Sequence, residues 1–292
     1  MTRSGDAGRR RHDAGRDAWP FEGGEASPRA AEMLARRIED DLRRRGPVLV
    51  AFSGGVDSGL VAALAQRVLG DRALAVTAAA ETLAGSELDH ARRLAAEIGI
   101  RHQVTTYSEL DEPEFRANPR HRCYVCQGLR MDRMVELADS GGFATVCDGT
   151  NASDPGPDRP GLRAVRERGV YSPLLEHGVT KADARGLARA LGLTVWDRPA
   201  NACLSSRIPH GQLVTLPKLR RIEDAEAELQ GRGFRVLRVR HDGDSARVEV
   251  GKGELPAAER QWSEIEARLL ELGFEGAALD RRGYRTGGAD AA

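Results

Sequence analysis

Six residues, Ser53-Gly54-Gly55-Val56-Asp57-Ser58, constrain this chain more than any others. They interrupt the apolar run Pro47-Val48-Leu49-Val50-Ala51-Phe52 and precede a segment in which Leu60, Val61, Leu64 and Val68 recur at helical spacing. So short an apolar run suits a strand buried on both faces, and the order is therefore strand, glycine loop, helix. In that order the glycines let backbone N–H groups approach an anion, and the helix N-terminus adds its positive dipole. The Ser53 and Ser58 hydroxyls supply further donors. No Gly-Lys-Ser/Thr ending follows, which argues against γ-phosphate transfer of the P-loop NTPase kind. A plain glycine–serine turn is the competing reading, and the placement of all six residues between strand and helix weighs against it.

Alternation continues along the chain. Helical spacing predicts helices over 30–44, 86–98, 127–138 and 180–191, with Ser86/Asp89 and Thr180/Asp183 as capping pairs, and strands over 73–77, 102–107 and 144–147. Strands alternating with helices imply a parallel sheet. Loops at the carboxyl ends of such strands line the ligand crevice, which singles out Asp148-Gly149-Thr150-Asn151. Residues 151–161, with three prolines and two aspartates, are expected to form a surface loop. The pattern changes near Leu216-Pro217. Helix 218–230, strands 235–240 and 246–250, helix 255–272 and a last short strand make a small α+β unit. The expected layout is a disordered tail over 1–28, an α/β domain over 29–215, an α+β domain over 216–280 and a loose tail over 281–292.

Lys plus Arg equals Asp plus Glu at 44 each, so no global field attracts nucleic acid. The first 28 residues lack the apolar stretch of an export signal, and no apolar run approaches the roughly 20 residues needed to cross a bilayer. A cytoplasmic protein without a membrane partner is expected, and there thiols stay reduced. The four cysteines then read as ligands or reactants. Cys123-Tyr124-Val125-Cys126 stands before a predicted helix, and Cys203 lies in Asn201-Ala202-Cys203-Leu204-Ser205-Ser206-Arg207-Ile208-Pro209. Three thiolates can hold an iron–sulfur group with one position open for sulfide. Zinc would want a fourth ligand, with His121 and His210 to hand, and Cys203 alone can serve as a sulfur nucleophile. Arg122, Arg207 and the nearby helix start are expected to lower the thiol pKa values. Cys147, ending a strand, reads as a small buried apolar residue.

The 53–58 loop resembles the PP-loop of ATP pyrophosphatases, which grips the pyrophosphate that leaves as AMP is transferred. Further matches are Arg122-Cys123-Tyr124-Val125-Cys126, Asp148-Gly149-Thr150-Asn151 with Asp154, Arg159-Pro160-Gly161-Leu162-Arg163, Ser172-Pro173-Leu174 and residues 202–207. Together they resemble the LarE family, ATP-dependent sulfur transferases that thiolate pyridinium-3,5-biscarboxylic acid mononucleotide for the nickel-pincer nucleotide cofactor of lactate racemase.

The resemblance implies an α/β fold, a HUP/Rossmann-like PP-loop ATP pyrophosphatase sheet with a smaller C-terminal α+β domain. It implies ATP with Mg²⁺ over Ser53, Gly54, Gly55, Val56, Asp57 and Ser58, adenine near Ala51, Phe52 and Thr77, and Thr150 and Arg163 near the phosphates. Asp57 is the expected Mg²⁺ ligand, since a bare carboxylate beside a phosphate repels it. The three cysteines Cys123, Cys126 and Cys203 imply a [4Fe-4S] cluster that carries a transferable sulfide; sacrifice of the Cys203 sulfur, leaving dehydroalanine, is the alternative. Arg207, Arg238 and Arg240 are candidates for the substrate phosphate, with Ser206 beside them. Arg238 and Arg240 share a strand face, whose other reading is an exposed basic face paired with Glu249. Glu226 resembles a family acidic residue near the site, against a reading as plain surface. A homo-oligomer is implied, with the sulfide donor left open. Rival classes are a tRNA thiolase, an ammonia-using ligase and a nucleotide-binding regulator without turnover.

Overall fold

The computed structural model describes residues 28–154, 159–199 and 202–285. In chain order it contains α1 (Pro28–Arg45), β1 (Val48–Ala51), α2 (Val56–Leu69), β2 (Ala73–Ala79), α3 (Gly85–Ile98), β3 (Arg101–Thr106), α4 (Pro113–Arg116), α5 (Arg122–Gly141) and β4 (Thr145–Cys147). There follow α6 (Pro160–Glu167), α7 (Pro173–Glu176), α8 (Lys181–Ala190), α9 (Leu216–Gly231), β5 (Leu237–Asp242), β6 (Ser245–Val250), α10 (Leu255–Arg260), α11 (Trp262–Glu271) and β7 (Gly276–Leu279). The first sheet is parallel in the order β3-β2-β1-β4, and the second runs β5-β6-β7. Its β5–β6 pair is antiparallel and its β6–β7 pair parallel.

The alternation of β1 shows why its run is apolar throughout. Val48 and Val50 pack with Leu34, Ile38 and Leu42 of α1 and Leu187 of α8, while Leu49 faces Met131 and Met134 of α5. Both faces are covered, and each fully buried aliphatic contributes about 1.5–3 kcal/mol. A second core unites α9, α10 and α11 with the small sheet through Leu229, Val239, Val248, Ala258, Ile265 and Leu269. Between the two lies an apolar junction of Phe115, Cys126, Leu204, Ile208, Leu219 and Ile222.

Chain order reverses between β1 and β4, so the loops after these strands are neighbours at the carboxyl edge of the sheet, where open α/β sheets bind ligands. Gly149 is the contact. A Cβ there would lie 2.6 Å from the Ser58 nitrogen and 3.0 Å from the Asp57 carbonyl carbon. Gly54 has a different reason: φ of +75°, and a Cβ that would meet the Ala91 backbone at 2.9 Å, so the loop lies flat on α3.

Several boundaries differ from expectation. The Ser86/Asp89 cap does not form; α3 starts at Gly85 after Ala84, and the Gly85 N–H donates to Glu223 Oε1 of α9 at 2.6 Å, a tertiary carboxylate in place of a local cap. The Thr180/Asp183 capping box does form and opens α8. α5 begins at Arg122, so the paired cysteines lie inside its first two turns instead of before it. Residues expected as one helix over 255–272 divide at Gln261, which ends α10 and starts α11. The expected 151–161 loop ends at Pro160, the first residue of α6; its residues 155–158 lie outside those described, as do 1–27 of the expected tail. Residues 281–285, expected to fray, are bonded: Tyr284 N donates to Val250 O at 2.8 Å and Arg282 pairs with Asp280. Among the described residues no helix is long and apolar enough to cross a membrane.

Because Gly149 touches backbone, Gly149→Ala must push the start of α2 away. Urea unfolding is expected to show a loss of about 1–3 kcal/mol, whereas Gly186→Ala in α8, with nothing within 4 Å of its Cβ position, is expected to show none. Equal stability of the two variants would contradict the packing described.

Candidate active site

The glycine loop is locked by its own serines. Ser53 Oγ and Ser58 Oγ are 3.0 Å apart, Ser58 Oγ lies 3.3 Å from Gly55 O, and the Ser53 and Gly55 N–H groups donate to Ser58 Oγ and Ser53 Oγ at 3.2 and 3.3 Å. These hydroxyls, expected as open donors, brace the turn. The N-cap Gly55 brings no side-chain bond to the amides of α2, which leaves first-turn N–H groups to an anion. Val56 is buried under the turn.

Asp57, in that first turn, forms an ion pair with Lys181 Nζ at the start of α8. Burial pushes its carboxyl up from the ordinary range, opposed by the Lys181 hydrogen bond and charge, while Asp154 adds to the rise. Asp57 Oδ1 is buried with no hydrogen-bond partner. An orphaned carboxylate oxygen beside a phosphate-binding turn fits Mg²⁺, which takes oxygen ligands and dehydrates only partly. Lys181 was not foreseen. Its one sequence signal is its place directly after the Thr180 cap, where a helix start meets the same crevice.

Phe52 and Thr77, expected beside adenine, are both buried. Thr77 Oγ1 donates to Phe52 O at 2.8 Å and lies 2.8 Å from His102 Nε2, and the rings of Phe52 and His102 meet edge to face. Ala51 ends β1 between Val76 and the loop. Thr150 Oγ1 and N–H both donate to Asp148, at 2.5 and 3.2 Å, and Ser172 Oγ joins them at 2.6 Å. Burial pushes the Asp148 carboxyl up. Arg163, expected near the phosphates, lies on α6, where it stacks 4.4 Å over the Tyr124 ring and pairs with Glu167.

Cys203 caps the 3-10 turn Leu204–Arg207, with its Sγ 3.1 Å from Ser205 Oγ. Cys126 is buried, donates to Glu109 Oε1 at 2.9 Å and lies 3.6 Å from Arg130 Nη2. Glu109, fully buried, also accepts from Thr82 Oγ1 at 2.5 Å and Tyr107 OH at 3.1 Å. The expected fall in thiol pKa is overturned at Cys126. Burial pushes it well up, opposed by the Arg130 charge, while the charges of Glu109 and Cys203 add to the rise. Cys123 is exposed at the start of α5, and Cys147 is buried as expected. His121, a candidate zinc ligand, pairs with Glu114 at the surface. Among the described residues no three His, Cys, Asp or Glu side chains gather to hold a metal. The donor set nevertheless suits an iron–sulfur group in kind: three cysteines on two segments that Arg122 joins through its bond to Ser205 O.

The arginines are engaged in ways the sequence did not reveal. Arg207, 0% exposed, meets Glu226 in a fork, with Nε–Oε1 and Nη2–Oε2 both 2.9 Å. Its Nη1 donates to Ala202 O, Cys203 O and Ser206 Oγ at 2.6, 2.9 and 3.1 Å. Glu226, read alternatively as plain surface, is buried and also accepts from Val239 N at 3.0 Å. Arg122 likewise serves structure, donating to Asn118 Oδ1 and Ser205 O. Arg240 is buried against Glu249 and donates to Ser206 O at 3.1 Å, so the reading of an exposed basic face is overturned while the pairing with Glu249 holds. Arg238, half-buried, stacks 5.0 Å over Tyr284. Burial, with the Arg207 charge adding, pulls its pKa down.

A parallel sheet whose β1 feeds a glycine turn, with the next strand-end loop packed on that turn, is the PP-loop architecture, and residues 29–126 match the asparagine synthase family. Over 248 residues the chain is 37% identical to pyridinium-3,5-bisthiocarboxylic acid mononucleotide synthase of Lactiplantibacillus plantarum, covering 85% of this chain and 89% of that one. It is 40% identical over 260 residues to an uncharacterised protein of Synechocystis sp., covering 87% and 97%. A tRNA-specific 2-thiouridylase of Rhizobium rhizogenes is 31% identical over 193 residues but covers only 51% of this chain and 47% of its own. The chain belongs to the LarE family, that of the L. plantarum synthase.

Removing Glu226 would leave the Arg207 charge buried without its partner. Glu226→Ala is expected to lose about 3–5 kcal/mol in urea unfolding, and Arg207→Met with Glu226→Leu to recover most of it. A loss below that of ordinary surface substitutions would contradict a buried pair.

Proposed function

We propose that this chain is an ATP-dependent sulfur transferase that adenylates the carboxylates of pyridinium-3,5-biscarboxylic acid mononucleotide and converts them to thiocarboxylates. The observation that carries the reading is the presence, in one chain related to that synthase, of the glycine turn with Asp57 and Lys181 and of Cys126 and Cys203 on segments that pack together through Leu204 and the Arg122–Ser205 bond. A substrate carboxylate oxygen attacks the α-phosphorus of ATP, and the bond to the bridging oxygen breaks, so that pyrophosphate leaves with the electron pair. The amides of α2 and the Lys181 ammonium face the charge that develops there. Asp57 Oδ1 is the oxygen offered to Mg²⁺, which when bound offsets phosphate charge as a Lewis acid. Sulfur then attacks the acyl carbon, the C–O bond breaks and AMP departs, leaving a thiocarboxylate. A second cycle on the other carboxylate makes a ligand with two sulfurs.

For the sulfur, we propose that Cys123, Cys126 and Cys203 hold a [4Fe-4S] cluster, which when bound supplies a transferable sulfide. The protein's part is to hold three thiolates and keep water from the acyl adenylate; the cytoplasm keeps those thiols reduced. A second reading is favoured by the half-buried Cys203 and by the exposure of Cys123, in contrast to the buried Cys126. In it the Cys203 thiolate attacks the acyl carbon, and loss of the Cα proton with cleavage of Cβ–S releases the thiocarboxylate and leaves dehydroalanine. A tRNA substrate is disfavoured by the zero formal charge and by a match to thiouridylase that covers half the chain. Arg238, half-buried on the same strand as Arg240, remains our proposed contact for the substrate phosphate.

Anaerobic purification with iron and sulfide assay tests the cluster directly. The expected result is iron and sulfide in the parent protein, both lost in Cys123→Ala, with repeated turnover when sulfide is supplied. One thiocarboxylate per Cys203, with loss of the mass of hydrogen sulfide from that residue and no iron, would replace the cluster by the sacrificial reading.

A further inference from the structure

Cys126 and Cys203 lie on separate segments, 77 positions apart in the numbering, and the spacing between their thiols must be set by other residues. Asn118 stands at the turn between α4 and α5, fully buried, and at φ +54° it is the one non-glycine residue among those described with a left-handed backbone. That conformation costs free energy for a residue with a Cβ, and an asparagine keeps it where its side chain is needed. Here the side-chain amide nitrogen donates to Pro209 O and Gln212 O at 2.8 and 2.9 Å, with Ile208 O at 3.4 Å. Its backbone carbonyl accepts from Gly211 N at 3.0 Å. Its Oδ1 accepts from Arg122 Nη1, which also donates to Ser205 O at 2.9 Å.

Arg122 is one helical turn before Cys126, and Ser205 is two residues after Cys203. The segment carrying one thiol is therefore bonded to the turn that launches the other. A second route runs on the opposite side: Cys126 donates to Glu109, Glu109 accepts from Thr82 Oγ1, and the Thr82 carbonyl accepts from Leu204 N at 2.9 Å. Among the described residues, neither the Asn118 nor the Arg122 side chain is bonded to the glycine turn.

We infer that Asn118 and Arg122 form a clamp that sets the Cys126–Cys203 spacing for the sulfur step, as positioning residues that take no part in nucleotide cleavage. The inference rests on the sulfur-transfer reading for its purpose, though not for its geometry. An aspartate at 118 would face carbonyl oxygens with no donor, and a glycine would keep the backbone angle while losing every side-chain bond. Arg122→Lys keeps the charge and loses the planar fork.

The test uses full-length, metal-free protein in a Cys123→Ala background, treated with dibromobimane, which becomes fluorescent when it bridges two nearby thiols. The reaction is run at about pH 9.5 to reach the buried thiol. The parent is expected to bridge Cys126 to Cys203, verified by peptide mass, and Asn118→Gly and Arg122→Lys are expected to lose the bridge. A parent that alkylates both thiols singly without bridging would overturn the clamp. In chains retaining Cys123, the same two substitutions are expected to lower thiocarboxylate formation by about 10²-fold, the scale of a displacement near 1 Å, while ATP-dependent pyrophosphate release stays unchanged. Bridging at the parent level in both variants would overturn the clamp. Loss of ATP binding together with bridging would overturn it too, since the two residues would then support the fold at large. The bridge is read without substrate, so missing thiocarboxylate counts against the sulfur-transfer reading and not against the clamp.

Discussion

A guanidinium with no exposed surface has to find an acceptor for each of its N–H groups inside the protein, and Arg207 organises the centre of this molecule by that requirement. Its fork onto Glu226 ties α9, and hence the small sheet, to the segment that carries Cys203. Its remaining nitrogen gathers the Ala202 and Cys203 carbonyls and the Ser206 hydroxyl. Glu226 also accepts from the backbone of β5, and Arg240 on the same strand donates to Ser206 O. The Cys203 segment is consequently held by charge-assisted bonds to two other elements, a rigidity that suits the sulfur step we propose for it.

A second electrostatic arrangement governs the nucleotide end. The start of α2 favours an anion, yet Asp57 puts a carboxylate in that first turn. Lys181 neutralises it across the crevice, and burial opposes its ionisation. On the function we propose, a divalent cation at the unbonded Asp57 oxygen would tip this arrangement in favour of phosphate. Gly149 makes the crevice close enough for this, since any side chain there would separate the two strand-end loops. α3 packs on Gly54 at Ala91, and its Gly85 N–H donates to Glu223 of α9, so the helix beneath the glycine turn is bonded to the small C-terminal unit.

What was legible in the sequence was local. The strand–loop–helix at 53–58, the alternating pattern of the parallel sheet and the Thr180/Asp183 box rest on residues a few positions apart, and the structure reproduces them. What was hidden depends on partners far along the chain. Glu226 reads as one more charge on a polar helix until Arg207 is seen buried against it. Lys181 acquires meaning only beside Asp57, and Glu109 only beside Cys126. The missing Ser86 cap has the same cause, because Glu223 replaces it from another helix. Arg122 and Arg207 stand beside cysteines in the sequence, but their donors satisfy carbonyls and carboxylates, and the buried Cys126 thiol moves up instead of down.

The account depends on the glycine turn directing cleavage between the α- and β-phosphates, with a substrate oxygen as the attacking atom. Substrate labelled with ¹⁸O in its carboxylates tests this most directly, because expulsion of AMP by sulfur must carry one carboxylate oxygen away on the phosphorus. The account predicts one ¹⁸O in the AMP for each thiocarboxylate formed, with pyrophosphate in equal amount. Unlabelled AMP, or ADP with phosphate, would contradict it.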